Sequence, residues 1–202
     1  MTQRAQRRGR AIAMTAAEVD EFLAAERTCR VATSGKDGRP HVVPLWFVWD
    51  GSSLWLSSVV RSQRWTDVMR DPRVAVVVDA GVTYTELRGV ELSGEVVPVG
   101  EIPRTATTPD PVLDQPEQLF ADKYTGGVKA QADGRHAWLR LTPEKLVSWD
   151  FRKLATLSRL AERPRSRDLL PALHRRCVDR QPRRFGADST EPRDRGGHRH
   201  GP

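Results

Sequence analysis

Short runs of β-branched and aromatic residues, separated by tight turns, most restrict what this chain can fold into. The first three runs are RVATS (30–34), HVVPLWFVW (41–49) and SLWLSS (53–58), and glycine- and aspartate-containing turns separate them. Such residues pack well in strands, and short polar connections favour antiparallel hairpins. The spacing therefore predicts a meander of three antiparallel strands.

Later segments extend this sheet. The apolar run RVAVVVD (73–79) predicts a strand that is buried on both faces, and LRGVELSGEVVPVG (87–100) predicts a long strand bent at Gly89 and Gly94. Residues 136–151 supply the last strands. Antiparallel connections and strand-bending glycines favour a small barrel of about six strands over a doubly wound parallel sheet.

Three helices accompany the strands. Residues 15–26 begin with a Thr–x–x–Glu capping box and place apolar residues at helical spacing. A second helix is predicted at 63–71, and Pro72 ends it because proline disfavours helix in the preceding residue. Residues 101–118 are rich in Pro, Thr and Asp and are predicted to form a loop, followed by a short helix around 118–124.

Charge is distributed unevenly along the chain, which has 33 Lys and Arg, 26 Asp and Glu, and a pI of about 10.1. Residues 1–14 contain four Arg and no acid, and residues 154–202 contain 12 Arg and six acids, so residues 15–153 carry a net charge of −3. All Trp and Tyr residues lie in this middle part. We therefore predict one compact domain, 15–153, between a disordered basic N-terminus and a disordered Arg- and Pro-rich tail.

Composition and motifs disfavour several classes of protein. We expect no membrane partner, because no window has the run of about 18 apolar residues that a span requires. The arginines of residues 154–202 are not interleaved with aromatic residues and are diluted by acidic residues. We therefore expect no nucleic-acid partner. Because Cys29 and Cys177 are the only cysteines, we expect no disulfide framework and a cytoplasmic location. His41 and His136 are predicted to be strand-surface residues rather than metal ligands.

The segment SSVVRSQRW (57–65) is the strongest candidate for a binding site. It joins a predicted strand end to a predicted helix start, where unpaired backbone N–H groups and the helix dipole favour an anion. Arg61 and Arg64 are three residues apart and could reach one anion together with the hydroxyl of Ser62. A phosphate site and a solvated turn with two surface arginines both fit this sequence.

The aromatic run PLWFVW (44–49) is a second candidate. Trp46 and Trp49 differ by three positions and therefore point to opposite faces of a strand. An apolar strand of this kind provides a wall for a flat ring cofactor, and it equally serves core packing. The serine hydrolase, P-loop, zinc protease and dinucleotide-binding motifs are absent from the sequence, and no catalytic residue is assigned.

Three segments together resemble a known family. They are the hairpin DGRPHVVPLWF, the basic segment that precedes a helix and DPRV, and the strand RGVELSG. Over about residues 15–153 the chain resembles the pyridoxamine 5'-phosphate oxidase-like split β-barrel proteins, especially the branch that uses the deazaflavin coenzyme F-420. The resemblance implies a six-stranded antiparallel split β-barrel, a homodimer with cofactor sites at its interface, and hydride transfer between F-420 and a small unsaturated substrate.

Two alternatives stay open beside the F-420-dependent oxidoreductase. One is an FMN-binding flavoprotein of the pyridoxamine 5'-phosphate oxidase type, because FMN and F-420 share the ring and phosphate region. The other is a non-catalytic flavin-binding module. For residues 154–202, which lie beyond the usual end of the family, the abrupt use of Arg without Lys also suggests a frameshifted or vestigial extension.

The resemblance also implies where the cofactor binds. Arg61, Ser62 and Arg64 correspond to the phosphate-binding turn, with Arg64 at a position that is commonly lysine and Gln63 where a basic residue is often found. Tyr84 is expected to close over the cofactor or the substrate from the partner subunit. The proton donor is left open between Tyr84, His41 and solvent. The ring is expected to lie near four residues of two strands: Pro44, Trp46, Ser57 and Ser58.

Overall fold

Antiparallel strands make up most of the described structure. The computed structural model describes residue 6 and residues 9–155. The helices are Ala16–Ala25 (α1), Gln63–Arg70 (α2) and Pro111–Tyr124 (α3). The strands are Thr28–Ser34 (β1), Pro40–Trp46 (β2), Val48–Trp49 (β3), Leu54–Val59 (β4), Arg73–Ala80 (β5), Arg88–Val99 (β6), His136–Leu141 (β7) and Lys145–Asp150 (β8).

The strands form an antiparallel sheet in the order β2-β1-β5-β6-β7-β4-β3, and β8 pairs with β6. The long strand β6 connects two parts of this sheet: its residues 88–93 pair with β8, and its residues 96–99 pair with β7. The change of partner falls at Gly94, one of the two glycines at which a bend is predicted. The mainly β, split-barrel architecture predicted from the sequence is confirmed.

The main core fills the space enclosed by the strands and α1. A capping box between Thr15 and Glu18 begins α1, as predicted, and this helix buries Val19, Phe22 and Leu23. These side chains pack with apolar residues of β1, β4, β5, β6 and β7. A second, smaller apolar cluster lies between α3 and the opposite face of β4 and β7.

The predicted strand at 41–49 is divided at Phe47 into β2 and β3, and the described residues contain eight strands where about six were predicted. The backbone N–H of Phe47 donates to the hydroxyl of Tyr124, and the same hydroxyl bonds the carbonyl of Phe47. A side chain from α3 therefore takes both hydrogen-bonding groups that a neighbouring strand would use.

Two further predictions were wrong. Strand β5 is not buried on both faces: Val74, Val76 and Val78 are buried, whereas the residues between them are partly exposed. Helix α3 begins at Pro111, well before the predicted short helix, because Asp110 caps it and proline is tolerated at the first helical position.

The segment that precedes α1 packs against β8. Residues 10–12 form a 3₁₀ helix, and the backbone N–H of Met14 donates to Oγ of Ser148 over 3.0 Å. Gln6 bonds the backbone N–H and carbonyl of the same serine. These parts of the segment 1–14 thus contact the sheet, and the disorder predicted for the N-terminus stays a prediction. The predicted tail, 154–202, lies outside the described residues except for residues 154 and 155.

Candidate functional site

A cavity of about 690 Å³ lies on the face of β4 and β7 that is turned away from the main core. The end of β2, helix α3 and the loops before and after α3 form its other walls. This volume lies within the range of small-molecule and cofactor sites. Its chemically distinctive lining residues are Trp46, Ser57, Arg104, Phe120, His136 and Trp138.

Aromatic side chains form one wall of the cavity. Trp46 stacks on Tyr124 with ring centroids 4.6 Å apart and an angle of 10° between the planes. Phe120 contacts both Trp46, at 6.0 Å, and Trp138, at 5.8 Å in an edge-to-face arrangement. Trp46 is nevertheless 52% exposed, so its ring offers a flat apolar surface to a bound molecule.

Tyr124 fixes this wall. Its single hydroxyl hydrogen is shared between the carbonyls of Phe47, at 2.8 Å, and Arg27, at 2.7 Å, and the Arg27 guanidinium lies 4.9 Å from its ring. Burial raises the pKa of Tyr124 to about 12, so the phenol is neutral at physiological pH. The ring on which Trp46 stacks is therefore anchored to two backbone segments.

The loop before α3 is held by the carboxylate of Glu101. This group accepts hydrogen bonds from the backbone N–H groups of Thr105 and Ala106 and from two threonine hydroxyls. These bonds, the backbone N–H of Thr105 first, lower the pKa of Glu101 to about 2. Arg104 lines the cavity, but its guanidinium is held by Glu117 at 3.0 Å and by Glu101 at 3.3 Å. Its charge is thus already paired.

Strand β4 presents neighbouring serines to two different environments. Ser57 lines the cavity. Ser58 is fully buried and accepts a hydrogen bond of 3.0 Å from Nη2 of Arg64. The division follows from the alternation of side chains along a strand. The predicted set of ring-contacting residues is therefore split: Pro44, Trp46 and Ser57 line the cavity, and Ser58 does not.

Arg64 is a buried cation with an incomplete set of partners. Only 6% of the residue is exposed, and its Nε is a buried donor without a hydrogen-bond partner. No Asp or Glu among the described residues forms an ion pair with it. Burial lowers the pKa of Arg64. An unpaired buried charge is costly, and a bound anion would supply the missing partner.

The rest of the predicted phosphate turn has other contacts. Oγ of Ser62 accepts from the backbone N–H of Trp65 and caps α2. Gln63 donates to the buried carboxylate of Asp67 over 2.9 Å. Arg61 is exposed. The strand-to-helix turn is therefore present as predicted, but only Arg64 has an unpaired buried polar group.

Two candidate proton donors lie elsewhere in this chain. Tyr84 is 67% exposed, follows β5 and packs against Phe151 at 4.9 Å. Nδ1 of His41 lies 3.4 Å from Oγ1 of Thr33 and 3.6 Å from the carboxylate of Asp67. Neither residue lines the cavity. The closing of Tyr84 over a partner subunit's site stays a prediction.

The cavity contains a His–Asp pair that was not among the site residues predicted from the sequence. Nδ1 of His136 lies 2.7 Å from Oδ2 of Asp133, and both residues line the cavity. The sequence pattern Asp133-Gly134-Arg135-His136 is typical of a turn that the aspartate side chain closes, so the pattern could have indicated this pair. Within the described residues, no group of three His, Cys, Asp or Glu side chains could hold a metal ion.

The residues present fit a flavin-type cofactor. Aromatic walls and a free serine hydroxyl suit a flat ring that has polar edges. The turn with Arg64 directly continues β4, whose Ser57 lines the cavity. Its unpaired Nε and uncompensated charge suit a phosphate.

The split barrel with this cavity defines the class to which the chain belongs. A family model described as pyridoxamine 5'-phosphate oxidase matches residues 15–150. The chain belongs to this pyridoxamine 5'-phosphate oxidase-like family. In the part of the chain that the structure describes, no helix has the length and apolarity needed to cross a membrane.

Solved structures agree with this family. A conserved hypothetical protein from Mycobacterium tuberculosis is 31% identical, with a TM-score of 0.62, and the match covers 77% of this chain and 93% of that one. Two more distant structures share the fold alone. A candidate 5-nitroimidazole resistance protein from Bacteroides thetaiotaomicron is 14% identical, with a TM-score of 0.56, and the match covers 68% of this chain and 84% of that one. The haem storage protein HutZ from Vibrio cholerae is 17% identical, with a TM-score of 0.51, and the match covers 65% of this chain and 93% of that one. A comparison with curated proteins found no match.

Proposed function

We propose that this protein is a deazaflavin (coenzyme F-420)-dependent oxidoreductase that transfers a hydride between the cofactor and a small unsaturated substrate. The observation that carries the proposal is the aromatic-walled cavity beside β4, together with the uncompensated buried charge of Arg64 at the end of the same strand. Such a site needs few catalytic side chains. The cofactor, when bound, supplies the hydride, and the protein orients the reactants and excludes water.

The proposal assigns roles to two groups of residues. Arg64, with Arg61 and the N-terminal backbone of α2, holds the cofactor phosphate through charge-assisted hydrogen bonds. Trp46, Phe120 and Trp138 form the apolar wall for the ring. Since the Arg64 turn follows β4 without a break, a phosphate bound there lies at the end of the strand that carries Ser57.

FMN is the alternative cofactor. The cavity wall and the Arg64 turn would serve either molecule, and the F-420 assignment is favoured by the sequence resemblance alone. A non-catalytic flavin-binding module is the second alternative, and it differs in binding the cofactor without turnover.

The functional unit is proposed to be a cytoplasmic homodimer. Strand β2 lies at the edge of the sheet, and Val42 and Trp46 on it are 58% and 52% exposed. Exposed apolar residues on an unpaired edge strand favour contact with another chain. A second copy would cover this edge of the sheet.

Cofactor binding tests the proposal directly. The full-length protein is titrated with F-420 and with FMN in separate experiments, and quenching of cofactor fluorescence is followed. We expect tight binding of F-420 and, after chemical reduction of the cofactor, its reoxidation by an unsaturated acceptor. Preference for FMN would favour the alternative flavoprotein, binding without reoxidation would favour the module, and binding of neither cofactor would reject all three.

A further inference from the structure

The imidazole of His136 is held in one orientation by Asp133. Oδ1 of Asp133 accepts the backbone N–H groups of Arg135 and His136 at 2.9 and 3.1 Å, which fixes the carboxylate. Its other oxygen, Oδ2, lies 2.7 Å from Nδ1 of the His136 ring. Since the carboxylate is ionised, it accepts a hydrogen bond from Nδ1–H. Nε2 is then left as the ring nitrogen that faces away from Asp133.

The sheet register places this ring in the cavity beside Ser57. On β7, His136 pairs with Val59, and Trp138 pairs with Ser57. Residues two positions apart on a strand share a face, so His136 and Trp138 both face the cavity that they line. Ser57 and His136 are diagonal neighbours, and such pairs lie about 7–8 Å apart. A small molecule can therefore contact both.

The other charged groups of this cavity already have partners. Arg104 is held by Glu101 and Glu117, and Lys129 lies 3.5 Å from Asp114. Arg104 also donates its backbone N–H to the carbonyl of His136. The Nε2 atom of the His136 imidazole, by contrast, has no hydrogen-bond partner among the described residues.

We propose that His136, oriented by Asp133, is the proton donor of this cavity and acts on substrates whose oxygen gains negative charge when they are reduced. This inference rests on the proposed function. Conjugated carbonyl compounds have the required chemistry. A positioned donor stabilises the developing oxyanion, and the Asp133 carboxylate stabilises the imidazolium from behind.

The step balances for a conjugated ketone. A hydride from the reduced deazaflavin or flavin forms a C–H bond at the β-carbon, and the electrons of the C=C bond move to give an enolate oxygen. The imidazolium form of His136 carries a proton on both ring nitrogens; its Nε2–H bond breaks as an O–H bond forms on the enolate oxygen, and the resulting enol tautomerises to the saturated ketone. The substrate gains two electrons from the cofactor, and neutral His136 regains its proton from water.

The probe for this donor is 4-nitrophenol, whose anion resembles an enolate and is coloured, so its binding can be followed by absorbance near neutral pH. We expect His136→Asn, which keeps a donor near the position of Nδ1 and lacks Nε2, to weaken nitrophenolate binding about tenfold. His136→Gln, which places an amide near Nε2, should recover part of the affinity. His41→Asn is the matched control and should bind as the wild type does.

A second readout locates the contact without turnover. In protein with ¹⁵N-labelled histidine, nitrophenolate should shift the Nε2 signal of His136, identified by its loss in His136→Asn, and leave His41 unchanged. Asp133→Asn should alter the tautomer of His136 in the free protein. Absence of nitrophenolate binding to the wild type, or equal affinity in His136→Asn, would overturn the proposal. Since the probe needs no cofactor, these results are separate from the cofactor titration.

Discussion

Arg64 donates a 3.0 Å hydrogen bond to Ser58, and no carboxylate among the described residues offsets its buried charge. Ser58 is uncharged, and Nε of Arg64 has no hydrogen-bond partner in the described part of the chain. The folded protein therefore carries an electrostatic cost at the position where the family resemblance places a phosphate-binding residue. Stability and binding should respond in opposite directions when this charge is removed.

Arg64→Met should raise the free energy of unfolding of the cofactor-free protein by about 1 kcal/mol or more, because an apolar side chain replaces an unpaired buried charge. The same change should weaken cofactor binding by about tenfold or more, since a charge-assisted contact contributes roughly 1.5–3 kcal/mol. Urea unfolding and fluorescence titration measure the two effects. Arg61→Met, at an exposed position, should leave stability nearly unchanged; a destabilised Arg64→Met variant would contradict the argument.

Tyr124→Phe should lower the free energy of unfolding by about 1–3 kcal/mol, because the buried N–H of Phe47 loses its partner. The Trp46 ring loses a fixed support as well, so the tryptophan fluorescence spectrum should change. Tyr84→Phe is the matched control, since the Tyr84 ring is exposed and contacts Phe151 with ring centroids 4.9 Å apart. Equal stability of the two variants would show that the Tyr124 hydroxyl does not hold the β2–β3 break.

Stability should fall at high pH. Burial raises the pKa of the Cys29 thiol to about 12, above the value of about 8.5 in an unfolded chain. The contribution of Cys29 to the free energy of unfolding is fully present below about pH 8.5 and is lost as the pH rises toward 12. Tyr124, whose pKa is also raised to about 12, acts in the same direction above about pH 10.

Lys123 opposes this trend over part of the range. Desolvation lowers the pKa of Lys123 to about 8, against about 10.4 in an unfolded chain. Between these pH values the folded protein no longer buries a charged amine, so the free energy of unfolding rises with pH. The net decline should therefore be steepest above about pH 10.4. Urea midpoints measured from pH 8 to 12 give the slope, which should be shallower in Cys29→Ala; an unchanged slope would mean that Cys29 is not the titrating group.

Gly89→Ala should destabilise the protein by about 1–3 kcal/mol through overpacking. An added Cβ would lie 2.4 Å from Cζ2 of Trp149 and 2.8 Å from the carbonyl oxygen of Val78. Gly94→Ala is the comparison, because its nearest atom, the carbonyl oxygen of Thr142, is 3.1 Å away and a smaller shift would suffice. Thermal melts of both variants test the difference, and equal melting temperatures would argue against close packing of Trp149 on β6.

Local patterns in the sequence predicted most of the fold. A capping box located the start of α1, Pro72 located the end of α2, and runs of β-branched and aromatic residues located the strands. The patterns failed where distant residues decide. The break at Phe47 depends on Tyr124, and the burial of β5 depends on which strands and helices cover each of its faces.

The site was predicted only in part for a similar reason. Trp46 and Ser57 line the cavity as expected, and the Arg64 turn follows β4. The opposite orientations of Ser57 and Ser58 follow from strand alternation, but which face holds the cavity depends on the docking of α3. The register of β7 against β4 brings His136, with Asp133 bonded to it, into the cavity beside Ser57.

The strand β6 is hydrogen-bonded to β5 and β8 in one half and to β7 in the other. The cavity strands therefore cannot separate from the rest of the barrel without breaking the strand that both halves share. We expect a single cooperative unfolding unit in which the amides of β6 exchange their hydrogens last. A ligand in the cavity should consequently also slow amide exchange in β5 and β8.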